Sequence, residues 1–189
     1  SFLGNVGVGL IFWAYALLPM ADATSLLFAA PLFVTALSPV LLGERIDRWR
    51  WIAVIVGFGG ILMIARPSAG IFSTPASLVA LGGAFFGAMV DITLRNLGRT
   101  DDPLTTVFYF ILTGVAISGP YTLFFGAFPS PDLLPWIAGI GLFSAIQQVA
   151  KTTAFGLAEA SVLAPCGYSA IRWATLTGWI FWQELPTAS

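Results

Sequence analysis

The chain has no histidine and a single cysteine, Cys166, set inside an apolar run. Without histidine there is no imidazole acid–base catalysis, and one thiol supports neither a disulfide framework nor a thiol-rich metal site. No cofactor or metal is expected. Charge is equally scarce. Only 9% of the 189 residues are charged, against about 25% in a soluble domain. A net charge of −1 offers no basis for binding nucleic acid. With 58% hydrophobic residues the chain has no means of covering its surface in water, so its first partner is the lipid bilayer. No basic segment with a cleavage site precedes the first apolar run, and no signal peptide is expected. The chain enters that run directly from Ser1 and reads as a piece of something longer.

Apolar length is what the sequence does have. Seven runs, near 2–19, 23–42, 49–66, 76–96, 103–126, 133–156 and 162–183, are each long enough to cross a hydrocarbon core as a helix. A membrane β-barrel needs shorter, strictly alternating segments, which these are not. The expected fold is an all-α, polytopic membrane helix bundle. Arg45, Arg48, Arg50, Arg95 and Arg99, with Lys151 nearby, fall on one side when the loops are numbered alternately, and Arg66 alone on the other. That bias makes residues 43–50 and 97–102 cytoplasmic, in a cell membrane, with the N-terminus inside and the C-terminus outside. Trp49 and Trp51 on the inner side, and Trp136, Trp179 and Trp182 on the outer, fit interfacial belts. Gly57, Gly60, Gly83 and Gly87 mark places for close helix contact, and Pro31 and Pro120 predict local kinks.

The stretch 21–46 opens Ala21-Asp22-Ala23-Thr24, read as a tight polar connection. It runs through a proline-containing apolar helix and closes on Gly43-Glu44. A looser copy spans 158–185, opening Ala158-Glu159-Ala160-Ser161 and closing on Glu184. The topology puts Glu44 inside and Glu184 outside, so the two arms are inverted. Only Glu44 is followed by a basic cluster, as the positive-inside rule requires. Inverted repeats around a central site are a recurrent transporter design.

YALLPMADATSLLFAAPLFVTALSPVLLGERIDRWRWIAVIVGFGGILMIARP resembles the closing half of an EamA-type repeat of the drug/metabolite transporter superfamily. FGLAEASVLAPCGYSAIRWATLTGWIFWQELP resembles the matching helices of the second repeat, and ITLRNLGRTDDP its first cytoplasmic connection. The resemblance implies ten helices in two inverted five-helix repeats, of which this chain would be helices three to nine. Residues 1–67 would be the C-terminal part of the first repeat and 68–189 the N-terminal part of the second. The expected fold is thus an inverted-repeat transporter fold truncated at both ends.

Candidate site residues follow from the cost of polar groups in lipid. Arg172, near the centre of the last run, must face protein or a water-filled cavity. Tyr168, Arg172, Thr175 and Trp179 share one helical face, either against substrate or as a structural bond to a neighbouring helix. The resemblance implies an apolar residue near Arg172, so this arginine departs from the pattern. Gln147 and Gln148 are candidates for inward hydrogen bonding. Lys151, four residues past Gln147, either lines the inner half of a pathway or snorkels to the interface. Asp91 and Arg95 have the spacing of a helical ion pair, structural or coupling. Glu44 and Glu184 read as interfacial helix-end anchors. Trp13 and Tyr15 are candidates for an aromatic wall.

Three functions compete. A secondary transporter would move a small organic metabolite by alternating access, around Tyr168, Arg172, Gln147 and Trp13. That cationic, aromatic lining favours an anionic or zwitterionic solute. An intramembrane enzyme would need paired acids or a nucleophile–base set, which the sequence does not supply. A non-transporting membrane subunit would have little reason to carry Arg172 and the glutamines. A second copy of the chain, as a homodimer, is the remaining candidate partner.

Overall fold

A computed structural model describes residues 2–65, 67–68, 70, 74–126, 129–170, 172–173, 176 and 180. Among them there is no strand, and the fold is an all-α membrane bundle. Its helices are α1 (Phe2–Leu17), α2 (Met20–Leu27), α3 (Ala30–Leu42), α4 (Arg48–Ala65), α5 (Pro75–Leu97), α6 (Pro103–Phe125), α7 (Leu134–Leu157) and the short α8 (Ala160–Leu163). A 3₁₀ turn, Pro131–Leu133, leads into α7, and a 3₁₀ stretch, Ala164–Tyr168, continues α8. Four stretches are long and apolar enough to cross a membrane by length and composition: Met20–Leu42, Pro75–Leu97, Pro103–Phe125 and Pro131–Leu157. Proline stands at the first turn of α5, α6 and α7, where its missing N–H costs no helical bond.

The first six runs convert to helices, with an informative exception in the first arm, and only part of the seventh, 162–183, lies among the described residues. Ala21–Thr24 is not a connection but part of α2; the chain turns before it, at Leu18 and Pro19. The span 23–42 is interrupted between α2 and α3. Pro31 has no N–H to give Leu27, and the Ala29 N–H bonds the Leu26 carbonyl, a tighter turn than α. The kink expected at Pro31 is therefore a break. At Pro120, by contrast, α6 continues without interruption. The second arm departs from α geometry at a similar distance from its start. Phe28 lies seven residues after Ala21, and Pro165, inside the 3₁₀ stretch, lies seven after Ala158. Arg66, Thr175, Trp179, Trp182 and Glu184 lie outside the described residues.

α5 is the centre of the bundle. It buries Ser77, Ala80, Gly83, Ala84, Ala88, Ile92 and Leu94, and its most extensive partner is α1. Small residues permit this approach. A Cβ on Gly7 of α1 would stand 3.3 Å from Phe86, and one on Gly83 would stand 3.2–3.4 Å from Leu27 and Ile11. Without water to drive helices together, such close contact is the main source of packing energy. Gly57 is equally tight, since Tyr168 lies directly over it, whereas Gly60 faces open space. α6 buries only Val107 and α7 only Thr152 and Phe155; their long exposed apolar faces suit lipid. Both buried clusters join residues from before and after the α4–α5 connection: Val34 packs with Ala88, Leu94, Phe155, Ala160 and Ala164, and Ala14 and Leu26 pack with Ala80. These buried clusters do not divide the chain into two separate cores.

Loops alternate between the two ends of the bundle. One end gathers the α3–α4, α5–α6 and α7–α8 turns: Arg50 meets Glu159, Arg95 meets Glu44, and Gly98 approaches Gly156. At the opposite end, Asp22 Oδ1 accepts the Ser68 N–H at 2.7 Å.

Candidate functional site

The breaks of the two arms face one another across a cavity of about 460 Å³. Leu27, Phe28, Ala30, Pro31 and Val34 line it from the first arm, and Leu163, Ala164, Gly167 and Ala170 from the second. α5 contributes Asp91, and α7 contributes Gln147, Lys151, Ala154 and Phe155. Interrupted helices leave carbonyls and N–H groups unspent, which lipid tolerates only where protein or a water-filled cavity receives them. The proline and small residues of both arms are what open this space.

Asp91 and Lys151 carry the charge of the cavity. Lys151 Nζ stands 2.6 Å from Asp91 Oδ1, with side chains 35% and 17% exposed respectively. It is a close charge contact rather than a well-directed hydrogen bond. The ammonium also lies 5.8 Å from the centre of the Phe155 ring, within cation–π range. Lys151 therefore lines the cavity and does not snorkel away from it.

The expected Asp91–Arg95 pair does not form. Arg95 reaches instead to Glu44, with Nε 3.3 Å from Oε1, and donates through Nη1 to the carbonyls of Gly156 (3.0 Å) and Phe155 (3.4 Å). An (i, i+4) pair on one helix is worth only about 0.2–0.5 kcal/mol. Two cross-helix pairs, Arg95 with the buried Glu44 and Lys151 with the largely buried Asp91, outcompete it.

Glu44 is not the interfacial anchor expected from sequence. Its side chain is 3% exposed. Gly43 adopts φ 68°, a left-handed conformation suited to glycine, and turns the chain so that Glu44 points back into the bundle. There the carboxylate accepts the Ala160 N–H (3.0 Å), the Ser161 N–H (3.2 Å) and the Ser161 hydroxyl (3.0 Å), besides Arg95. Arg50 Nη1 donates to Glu159 and, at 2.7 Å, to Ser161 Oγ. One arm's closing glutamate thus caps the start of the other arm. Sequence reasoning missed this role for Glu44, Arg50, Glu159 and Ser161. The signal was present: in inverted arms, the end of one and the start of the other lie at the same membrane level.

The remaining candidates are dispersed. Gln147 lines the central cavity, but Gln148, the next residue round α7, lines a second one of about 320 Å³ with Thr93, Thr105, Thr106 and Thr152. Tyr168 is half-buried behind the central cavity, its ring over Gly57 and 6.2 Å from that of Phe28. Its hydroxyl is buried with no partner among the described residues. Arg172 is exposed and lines neither cavity, contrary to the expectation that it faces protein or a water-filled space. A 3₁₀ helix turns about 20° more per residue than an α-helix. The stretch Ala164–Tyr168 therefore swings the downstream faces, and Gly167 and Ala170 take the cavity side. Trp13 is also exposed and outside both cavities, and Tyr15 bonds Thr24 at 3.3 Å. Thr175 lies outside the described residues.

Residues 1–66 match the EamA-like transporter family. The chain is 32% identical over 192 residues to a riboflavin transporter of Vibrio cholerae, covering 98% of this chain and 62% of that protein. It is 33% identical over 180 residues to a pseudopaline exporter of Pseudomonas aeruginosa, covering 94% and 63%. An S-adenosylmethionine uptake transporter of Rickettsia prowazekii is 27% identical over 183 residues, with 96% and 62% covered. The chain thus spans a little over three fifths of the length of these curated relatives. A solved crystal structure superposes with a TM-score of 0.81 over 98% of this chain and 68% of the other, at 21% identity; that likeness speaks to fold alone. By these matches the chain is similar to transporters of the EamA-like family over nearly its whole length, the family match itself falling on residues 1–66.

Proposed function

We propose that this chain supplies the solute pathway of a secondary transporter that moves a small organic metabolite across the cytoplasmic membrane by alternating access. The observation that carries this reading is the cavity at the facing breaks of two inverted arms, with an ion pair in its wall. The orientation follows the arginine bias, with residues 43–50 and 97–102 on the cytoplasmic face. Residues 1–67 and 68–189 act as parts of two inverted repeats. Because α1 and α3 pack on α5, the moving bodies cut across these repeats rather than along their boundary. The described cavity is lined by one chain, so a homodimer is not needed to complete it.

The relatives' names include riboflavin, pseudopaline and S-adenosylmethionine, and both uptake and export. Fold therefore leaves cargo to the wall residues. With Arg172 outside the cavity, the anionic preference loses its main support. The wall charges, Asp91 and Lys151, sum to zero, and Phe28 and Phe155 add aromatic surface. This lining favours a neutral or zwitterionic solute with an apolar or ring-bearing part.

The test is net solute flux in cells expressing the full-length protein that contains this chain, with riboflavin and S-adenosylmethionine as first probes and whole-metabolite comparison after them. At least one solute should change its distribution without chemical alteration. Lys151→Gln and Asp91→Asn should abolish that change, and Arg172→Gln should leave it intact. A solute that is chemically converted would favour the enzyme reading. Flux lost with Arg172→Gln but kept with Lys151→Gln would place the pathway elsewhere.

A further inference from the structure

We propose that the charged layer beneath the cavity, Glu44 with Arg95 and Arg50 with Glu159, joined through Ser161, is the inner gate of the pathway, shut in this structure and opened once per cycle. This inference rests on the transport reading and adds to it which residues close one end.

Position is the first argument. Arg95 lies four residues past Asp91 on α5, and Phe155 lies four past Lys151 on α7. Four residues of helix rise about 6 Å, so the charged layer lies one turn below the ion pair in the cavity wall. Phe155 belongs to both levels: its ring lines the cavity, and its carbonyl accepts from Arg95. The layer is the cavity's floor.

Connectivity is the second. Glu44 lies in the α3–α4 connection and Arg50 in the first turn of α4, Arg95 lies in the last turn of α5, and Gly156, Glu159 and Ser161 lie at the α7–α8 junction. Apart from Arg50 Nη1 to the Arg45 carbonyl (3.3 Å), which stays within the α3–α4 segment, the bonds of the layer cross between these segments, and the floor opens only if they separate. Gly98 and Gly156 touch backbone to backbone beside Arg95, which leaves no gap at that edge. Charge pairs and hydrogen bonds suit a gate because water entering from the cytoplasm offers the same groups alternative partners. An apolar seal of equal area would have no such exchange.

Transmission is the third. A solute that draws Lys151 from Asp91 alters the contact of α5 with α7 one turn above the place where Arg95 holds the α7 carbonyls. Occupancy and gate closure are thereby coupled through two rigid helical turns.

The experiment reads access to the cavity rather than transport. In the full-length protein, made cysteine-free, Ala154→Cys places one thiol in the wall. A membrane-impermeant maleimide is applied to right-side-out and to inverted vesicles. In the parent both orientations label, the inner one more slowly. Glu44→Gln and Arg50→Glu should each raise labelling from the inside about tenfold and lower it from the outside, since loss of about 1.4 kcal/mol from the closed form shifts the balance by that factor. The double variant Arg50→Glu/Glu159→Arg should return both rates toward the parent, which separates gating from misfolding. Unchanged rates in the single variants, a rise from both sides, or no recovery in the double variant would overturn the gate and leave the transport reading standing. A parent that labels from only one side, or from neither, would overturn alternating access and the gate with it.

Discussion

Two charged layers lie one turn apart on the same helices, α5 and α7, and they are built in opposite ways. In the lower layer the Glu44 carboxylate is nearly sealed and receives an arginine, two backbone N–H groups and a hydroxyl. In the upper layer Asp91 and Lys151 have each other and little else, beside a cavity that admits other partners. A saturated carboxylate has no capacity left for a ligand and can only hold or release protein. A half-satisfied pair at a cavity wall can exchange its partner for a solute. Burial and hydrogen-bond count, more than charge itself, separate structural ion pairs from those available for recognition.

The largest expected effect comes from breaking the saturated layer. Glu44→Ala leaves Arg95 without its carboxylate and exposes two N–H groups of the second arm to an apolar surrounding. Breaking a buried pair from one side costs about 3–5 kcal/mol. Thermal unfolding in detergent, followed by tryptophan emission, should show it as the most damaging single substitution of an acidic residue here. A loss of under about 1 kcal/mol would mean that water already serves that carboxylate.

Next in size is the backbone contact beside it. A Cβ on Gly98 would collide with the Gly156 main chain, whereas a Cβ on Gly156 would stand 3.4 Å from Gly98. Gly98→Ala should therefore cost about 1–3 kcal/mol by overpacking, and Gly156→Ala less than about 1 kcal/mol. The same unfolding assay distinguishes the two, and equal effects would show that the turns adjust freely.

The upper layer should respond in the opposite sense. Asp91→Asn leaves Lys151, 35% exposed, free to find water in the cavity, so stability should fall by about 1 kcal/mol or less. Transport should be lost. A variant that melts as early as Glu44→Ala would erase the contrast between the layers.

This contrast was only partly legible in the sequence. Helices were readable because lipid leaves a chain no option but internally bonded helices. Pairing was not. Sequence spacing offers only neighbours on one helix, and that suggested Asp91 with Arg95; the actual partners, Lys151 and Glu44, are 60 and 51 residues away. The arm face carrying Arg172 was drawn at 3.6 residues per turn, but the 3₁₀ stretch at Pro165 turned it aside. Ala21–Thr24 looked like a turn for its polar residues, yet Asp22 is spent on the Ser68 N–H and Thr24 on the Tyr15 hydroxyl, so both fit inside a helix.

The smallest expected effect concerns the edge of the upper layer. Tyr168 stands behind the cavity with its hydroxyl buried and unpartnered among the described residues, while its ring is fixed by Gly57 and Phe28. If packing is its whole role, Tyr168→Phe removes an unsatisfied polar atom and keeps the ring, so stability should hold or rise by about 0.5–1 kcal/mol. KM for the transported solute should then be unchanged. If the hydroxyl instead meets solute during the cycle, stability still holds but KM rises, because the lost hydrogen bond is made only in the loaded state. Melting and flux measured on this one variant therefore fix whether the recognition layer ends at Asp91 and Lys151 or extends into the second arm.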